Sequence, residues 1–186
     1  DRVIYEASLD SGAPALKEIR LGDSGAPRDL PTPADLRITP VEMLPDGRLL
    51  VVAFGDEGVS ARALDLKEGT TTLLAENAVW PTASPDGRWL AYASPETGQM
   101  EVYVRSLSGA GPSVQISTAG GGSPLWSADG RELYYRTRLG RPANDAGPHL
   151  IMAVGVEVED DRLEPGMPVE LFEDIFGGTT PVRSWD

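Results

Sequence analysis

The chain has 186 residues, a length that suits one domain or part of a larger one. Its net charge of −13 excludes nucleic acid as a partner and an anionic membrane as a docking surface, since both would repel it. With no cysteine there are no disulfides or thiolate metal sites, and 40% hydrophobic residues is too many for a disordered chain. The 21 glycines and 16 prolines suit an all-β protein with many turns. The longest unbroken apolar run, Leu49 to Phe54, falls far short of a membrane span, so no direct membrane insertion is expected of this segment.

In chain order, the first element is a strand over Arg2 to Ala7, followed by the turn Asp10-Ser11-Gly12-Ala13-Pro14. A strand over Leu16 to Leu21 leads to a second turn of the same sequence, Asp23-Ser24-Gly25-Ala26-Pro27, and a short edge strand near Arg28-Asp29-Leu30. Four strands follow over Leu36 to Met43, Leu49 to Phe54, Val59 to Leu64 and Thr71 to Leu74. Four more are expected over Ala78 to Ala83, Trp89 to Ala93, Glu101 to Arg105 and Val114 to Ser117. A last set covers Ser123 to Trp126, Leu133 to Arg136, Leu150 to Val154 and Val169 to Phe172, with a long loop before the third strand and an acidic turn after it. No helical periodicity longer than two turns competes.

One unit recurs along this series. Ser84-Pro85-Asp86-Gly87-Arg88, Leu44-Pro45-Asp46-Gly47-Arg48 and Ser127-Ala128-Asp129-Gly130-Arg131 each precede an apolar strand. Proline presets φ for the second position of a type I turn, aspartate accepts backbone N–H bonds, and glycine supplies positive φ. Among 15 aspartates and 21 glycines, three Asp-Gly pairs mean little. That each is followed by one of only 14 arginines makes coincidence a poor account. Asp46, Gly47, Asp86, Gly87, Asp129 and Gly130 are therefore structural turn residues, and their spacing in the forties is that of propeller blades.

Two places after each arginine stand Leu50, Leu90 and Leu133, with Ile4 matching them after Arg2. Their neighbours on the opposite face, such as Val51, Ala91 and Tyr134, are mostly apolar too, so this strand should be covered on both faces. The fold class is all-β: a β-propeller of four-stranded antiparallel blades, with a partial blade over 1–35, blades over 36–75, 76–118 and 119–176, and the start of another over 177–186. The chain starts on a second strand and ends on an inner one, as a fragment of a larger propeller would. A closed four-bladed ring, with Thr180 to Trp185 beside Val3 to Ala7, is the alternative.

The stretches Trp80-Pro81-Thr82-Ala83-Ser84-Pro85-Asp86-Gly87-Arg88-Trp89-Leu90-Ala91-Tyr92 and Pro124-Leu125-Trp126-Ser127-Ala128-Asp129-Gly130-Arg131-Glu132-Leu133-Tyr134-Tyr135 resemble the WD-like repeats of TolB-type β-propellers. Glu101 to Arg105, Val114 to Thr118, Gly120-Gly121-Gly122 and Leu171-Phe172 are also similar to that family. The pattern departs at Met43-Leu44, where Trp-Ser is commoner, and at Ala128, where Pro is. The resemblance implies a periplasmic or extracytoplasmic protein of one of three kinds. Such repeats occur in Tol–Pal components, in the outer parts of bacterial serine/threonine kinases, and beside the hydrolase of prolyl-oligopeptidase-type peptidases.

Candidate chemistry is sparse. Gly22-Asp23-Ser24-Gly25 resembles a serine-protease nucleophile motif, but the lone histidine, His149, lies downstream instead of upstream, and the matching copy at Asp10 marks both as turns. No Gly-x-Ser-x-Gly elbow is present. Gly120-Gly121-Gly122 lacks the Lys-Ser/Thr of a phosphate loop and reads as an inter-blade turn. Glu157, Glu159, Asp160 and Asp161 lack calcium-loop spacing and read as a solvated hairpin tip. The sequence thus implies no catalytic residue, metal or cofactor, and leaves a protein or a small molecule as the class of partner.

Two functions remain. One is a non-catalytic binding or scaffolding propeller, as in a kinase sensor or a Tol-like envelope protein; the other is the gating propeller of a peptidase. The stretch Gly177 to Trp185 reads as another blade opening with no crossover into a hydrolase, which favours the first. In a four-stranded meander the loops from strand 2 to strand 3 share one rim, opposite the Asp-Gly-Arg turns. That rim carries Glu57, Glu96 and Gln99, and the inserted loop 138–148 adds Arg138, Arg141, Asn144 and Asp145; these are the candidate binding residues.

Overall fold

The computed structural model describes residues 2–8, 14–22, 25–109, 111–137, 149–159 and 162–174. The described residues form four antiparallel sheets in two units, residues 1–79 and 80–186. In the first unit, β1 (Arg2–Ser8), β2 (Pro14–Arg20) and β3 (Arg28–Asp29) make a three-stranded sheet. β4 (Arg37–Met43), β5 (Leu49–Gly55), β6 (Gly58–Leu64) and β7 (Thr71–Glu76) make a four-stranded meander. In the second, β8 (Val79–Ala83), β9 (Trp89–Ser94), β10 (Glu101–Ser106) and β11 (Val114–Gln115) form another meander. The last sheet holds β12 (Gly122–Trp126), β13 (Glu132–Thr137), β14 (His149–Glu159), β15 (Arg162–Pro165) and β16 (Val169–Asp174).

The three recurring turns build the hairpins as their residue types dictate. Gly47, Gly87 and Gly130 sit at φ +88°, +70° and +71°. Each donates its N–H to the carbonyl three residues back, on Leu44, Ser84 and Ser127. In the second unit the serine also closes the first strand pair: the Ser84 hydroxyl accepts from the Trp89 N–H at 3.0 Å, and Ser127 from Glu132 at 2.9 Å. Leu44 has no hydroxyl, and its N–H bonds the Arg48 carbonyl, where the Ser84 and Ser127 N–H groups reach one residue further, to Trp89 and Glu132. That turn is tied by a forked pair in which Arg48 donates Nε to Asp46 at 2.8 Å. The departure at Leu44 therefore changes how the hairpin closes without unmaking it, and the leucine side chain is buried.

Leu50, Leu90 and Leu133 are fully buried, as are Val51 and Ala91 behind the first two, so these strands are covered on both faces. Burying each leucine contributes about 1.5–3 kcal/mol. Inside the first unit the two sheets share a core of Leu16, Leu30, Ile38, Leu49, Val51, Ala53 and Leu64. Inside the second, Trp89, Ala91, Val102, Val104 and Ile116 pack with Trp126, Leu133, Tyr135, Met152, Val154, Val156 and Leu163.

β11 and the β14–β15 hairpin differ from expectation for reasons the structure shows. β11 stops at Gln115 instead of Ser117, because the Ser117 hydroxyl takes the Val102 N–H at 2.8 Å and so replaces the backbone partner of the ladder. β14 runs on to Glu159, and β15 pairs with it through Val156↔Pro165, Glu157↔Glu164, Val158↔Leu163 and Glu159↔Arg162. Glu157 and Glu159 share one strand face, as their spacing predicts, and Asp160 and Asp161 lie outside the described residues; the difference is the added length of β14. Its cause is the alternation Val154-Gly155-Val156-Glu157-Val158-Glu159, which lets Val156 and Leu163 join the core while the glutamates face solvent. The pairing of 180–185 with 3–7 falls outside the described residues.

Candidate functional site

Of the candidate binding residues, Glu57 lies in the β5–β6 turn and Glu96 and Gln99 in the β9–β10 loop, all exposed. Arg138, Arg141, Asn144 and Asp145 lie outside the described residues, as do Ser24, Asp160 and Asp161. The β9–β10 loop is held by two tyrosines whose rings stack with centroids 5.9 Å apart. The Tyr92 hydroxyl donates to Glu96 at 3.3 Å, and the Tyr103 hydroxyl bonds Thr97 at 3.2 Å. Burial pushes the Tyr92 pKa up to about 12, so it remains a donor at any physiological pH.

Gln99 is exposed, but its amide bonds a group that sequence reasoning missed. Glu101 opens β10 with no exposed surface, yet it is an acid. Its carboxylate accepts from the Gln99 amide, the Ser117 hydroxyl and, at 2.9 Å, the Gly120 N–H. These donors satisfy an anion that would otherwise be costly to bury. The glycine run now has a reason. Gly120 adopts φ +88° to aim its N–H at the carboxylate, and a Cβ on Gly121 would collide with the Ser117 side chain. The available signal was a glutamate at a strand position whose equivalents are apolar. Tyr135, raised to about 12 by burial and then by the Glu101 charge, shares this region.

A second buried acid, Glu18, is likewise occupied: Arg28 donates to it at 2.7 Å and Arg2 at 3.3 Å. His149 is partly buried at the start of β14, opposite Asp174 in the strand register. Glu157 and Glu159 are exposed on β14. Among the described residues no group of three or more His, Cys, Asp or Glu side chains could hold a metal ion, and no helix is long and apolar enough to cross a membrane.

Glu57 stands at a cavity of about 950 Å³ within the first unit, between the 33–36 connection and strands β6 and β7. Its wall carries the exposed acids Asp35, Asp56, Glu57 and Glu76 and the partly buried Arg62. A second, open groove of about 880 Å³ in the other unit runs along the Asp-Gly-Arg side, past Arg88, Arg131, Glu157 and Glu164.

No protein-family model matches the sequence, and no curated protein matches it. Solved structures do. A TolB-type protein from Agrobacterium tumefaciens superposes with a TM-score of 0.67 at 20% identity, over 92% of this chain and 62% of that one. TolB from Acinetobacter baumannii gives 0.66 at 16% identity, over 91% and 41%. A puromycin-hydrolysing peptidase from Mycobacterium tuberculosis gives 0.65 at 18%, over 94% and 30%. The chain thus spans under two thirds of each of these proteins. At such identities the likeness is one of fold, and by fold the chain is a β-propeller domain resembling those of TolB and of propeller-containing peptidases.

Proposed function

We propose that this chain is a non-catalytic binding or scaffolding propeller, working outside the cytoplasm as the sensor part of a kinase or as a Tol-like envelope protein. One observation carries the reading: doubly covered strands hold exposed polar loops at Glu57 and Glu96, while the buried acids Glu18 and Glu101 are occupied internally. Ligand contact then falls on the strand 2-to-3 loops, with the inserted loop 138–148 adding Arg138, Arg141, Asn144 and Asp145. The likeness to TolB supports the envelope setting.

The test is capture of a partner from an envelope extract by the immobilised chain and by a variant with residues 139–147 replaced by a short Gly-Ser linker. Weaker capture by the variant is expected; equal affinity would overturn the assignment of the loop. A second reading, the gate of a peptidase, draws on the likeness to the puromycin-hydrolysing enzyme. A Gly-x-Ser-x-Gly hydrolase in the same open reading frame would decide for it.

A further inference from the structure

Arg62 differs from four of the other five arginines in its unit. In the same unit Arg2, Arg28, Arg37 and Arg48 each pair with a carboxylate. Arg62 is partly buried on β6, yet among the described residues no carboxylate pairs with it. Two neutral hydroxyls hold its guanidinium: Nε donates to Ser60 Oγ at 2.9 Å, and NH1 to Thr71 Oγ1 at 3.4 Å. The plane is thereby oriented, and the NH2 edge is left without a bond among the described residues, on the wall of the 950 Å³ cavity. A partly desolvated, pre-oriented guanidinium without a counter-ion is a carboxylate receptor waiting for its anion.

The same wall opposes a simple anion. Asp35, Asp56, Glu57 and Glu76 are all exposed along it, in a chain of net charge −13. A free phosphate or acetate would be repelled before reaching Arg62, whereas a ligand that also carries a positive charge satisfies both halves. The cavity is too large for one free amino acid and falls within the usual range for small ligands.

We propose that this cavity binds the free carboxyl terminus of a short peptide bearing a basic group, with the carboxylate on Arg62 and the ammonium or guanidinium against the acidic wall. The inference rests on the reading of the domain as a binding module, and narrows it to a ligand class. The Pro31–Gly69 contact keeps the site's two sides in register: Gly69, at φ +70°, has no room for a Cβ against Pro31.

The experiment is a titration of the full chain with the tripeptide Ala-Ala-Lys, followed by amide NMR shifts. Saturable shifts centred on residues 55–62 and 69–77 are expected, with a Kd of about 1 mM or tighter. The C-terminal amide of the same peptide, and R62Q with the free acid, should each bind about tenfold more weakly. Were R62Q to misfold, the acid-against-amide comparison in the parent protein would still decide. Equal binding of acid and amide overturns the proposal, as do equal shifts with inorganic phosphate or the absence of saturable shifts. Failure here, with capture through residues 138–148 intact, would remove this site alone and leave the binding role standing.

Discussion

At the scale of single residues, Glu101 is the position where the most depends on one side chain. Its carboxylate is the shared acceptor for Gln99, Ser117 and Gly120, which lie in the β9–β10 loop and in the segment after β11. Glu101→Ala would remove the acceptor of all three, strand the buried Ser117 hydroxyl and leave a void at a fully buried position, and should cost about 3 kcal/mol. Glu101→Gln keeps an oxygen acceptor and should cost less. Urea unfolding midpoints would check the order; equal midpoints for Glu101→Ala and the parent would show that the three donors find water instead. This group was not legible in the sequence because its partners are 2, 16 and 19 residues away and meet only once β10 and β11 pair.

At the scale of elements, the hairpin turns are the most local part of the fold and therefore the most legible. Proline, aspartate, glycine and arginine act on their own backbone and immediate neighbours, and the Asp86 and Asp129 carboxylates accept the Arg88 and Arg131 N–H at 3.0 and 3.1 Å. Gly87→Val and Gly130→Val should each cost about 1–3 kcal/mol, because a β-branched residue resists positive φ. The measured loss would be a lower melting temperature with binding unchanged at the temperature of assay. A Gly130→Val protein as stable as the parent would contradict the φ of +71° at this turn. The β14–β15 hairpin was less legible. The period of two puts Glu157 and Glu159 on one strand face, but β15 offers a single leucine between two charges and a closing proline, too little to mark a strand.

For the molecule as a whole, the titrating groups set the pH range of stability. Asp46 is held below the ordinary aspartate value of 3.8, first by the Arg48 side chain. Asp129 is held down first by the Ser127 hydroxyl, and Asp65 by the Glu68 and Lys67 N–H groups. A carboxylate depressed in the folded state gives stability that is present above 3.8 and lost as pH falls through the lower folded value. Tyr92 and Tyr135 act in the opposite direction. Both rise from 10.0 to about 12 on burial, so the unfolded chain releases these protons first and stability is lost as pH climbs above 10.0. Thermal unfolding followed across pH should show both limbs, with a shallower acid limb in the Asp46→Asn, Asp129→Asn double variant. An unchanged acid limb would mean that other carboxylates govern acid unfolding.

The sequence by itself determined the all-β class, the positions of the Asp-Gly-Arg turns and the strands buried on both faces. These follow from contacts a few residues apart or from a period of two. Tertiary structure alone decided which partners the polar groups find. Gln99 reads as a rim residue in the chain and proves to donate to Glu101; Arg62 carries no signal in the sequence and is oriented by Ser60 and Thr71 on the wall of a cavity. The physical reason is common to both. A charged group's role depends on which donors, acceptors and solvent surround it, and those neighbours are assembled by strand pairing between segments distant in the chain.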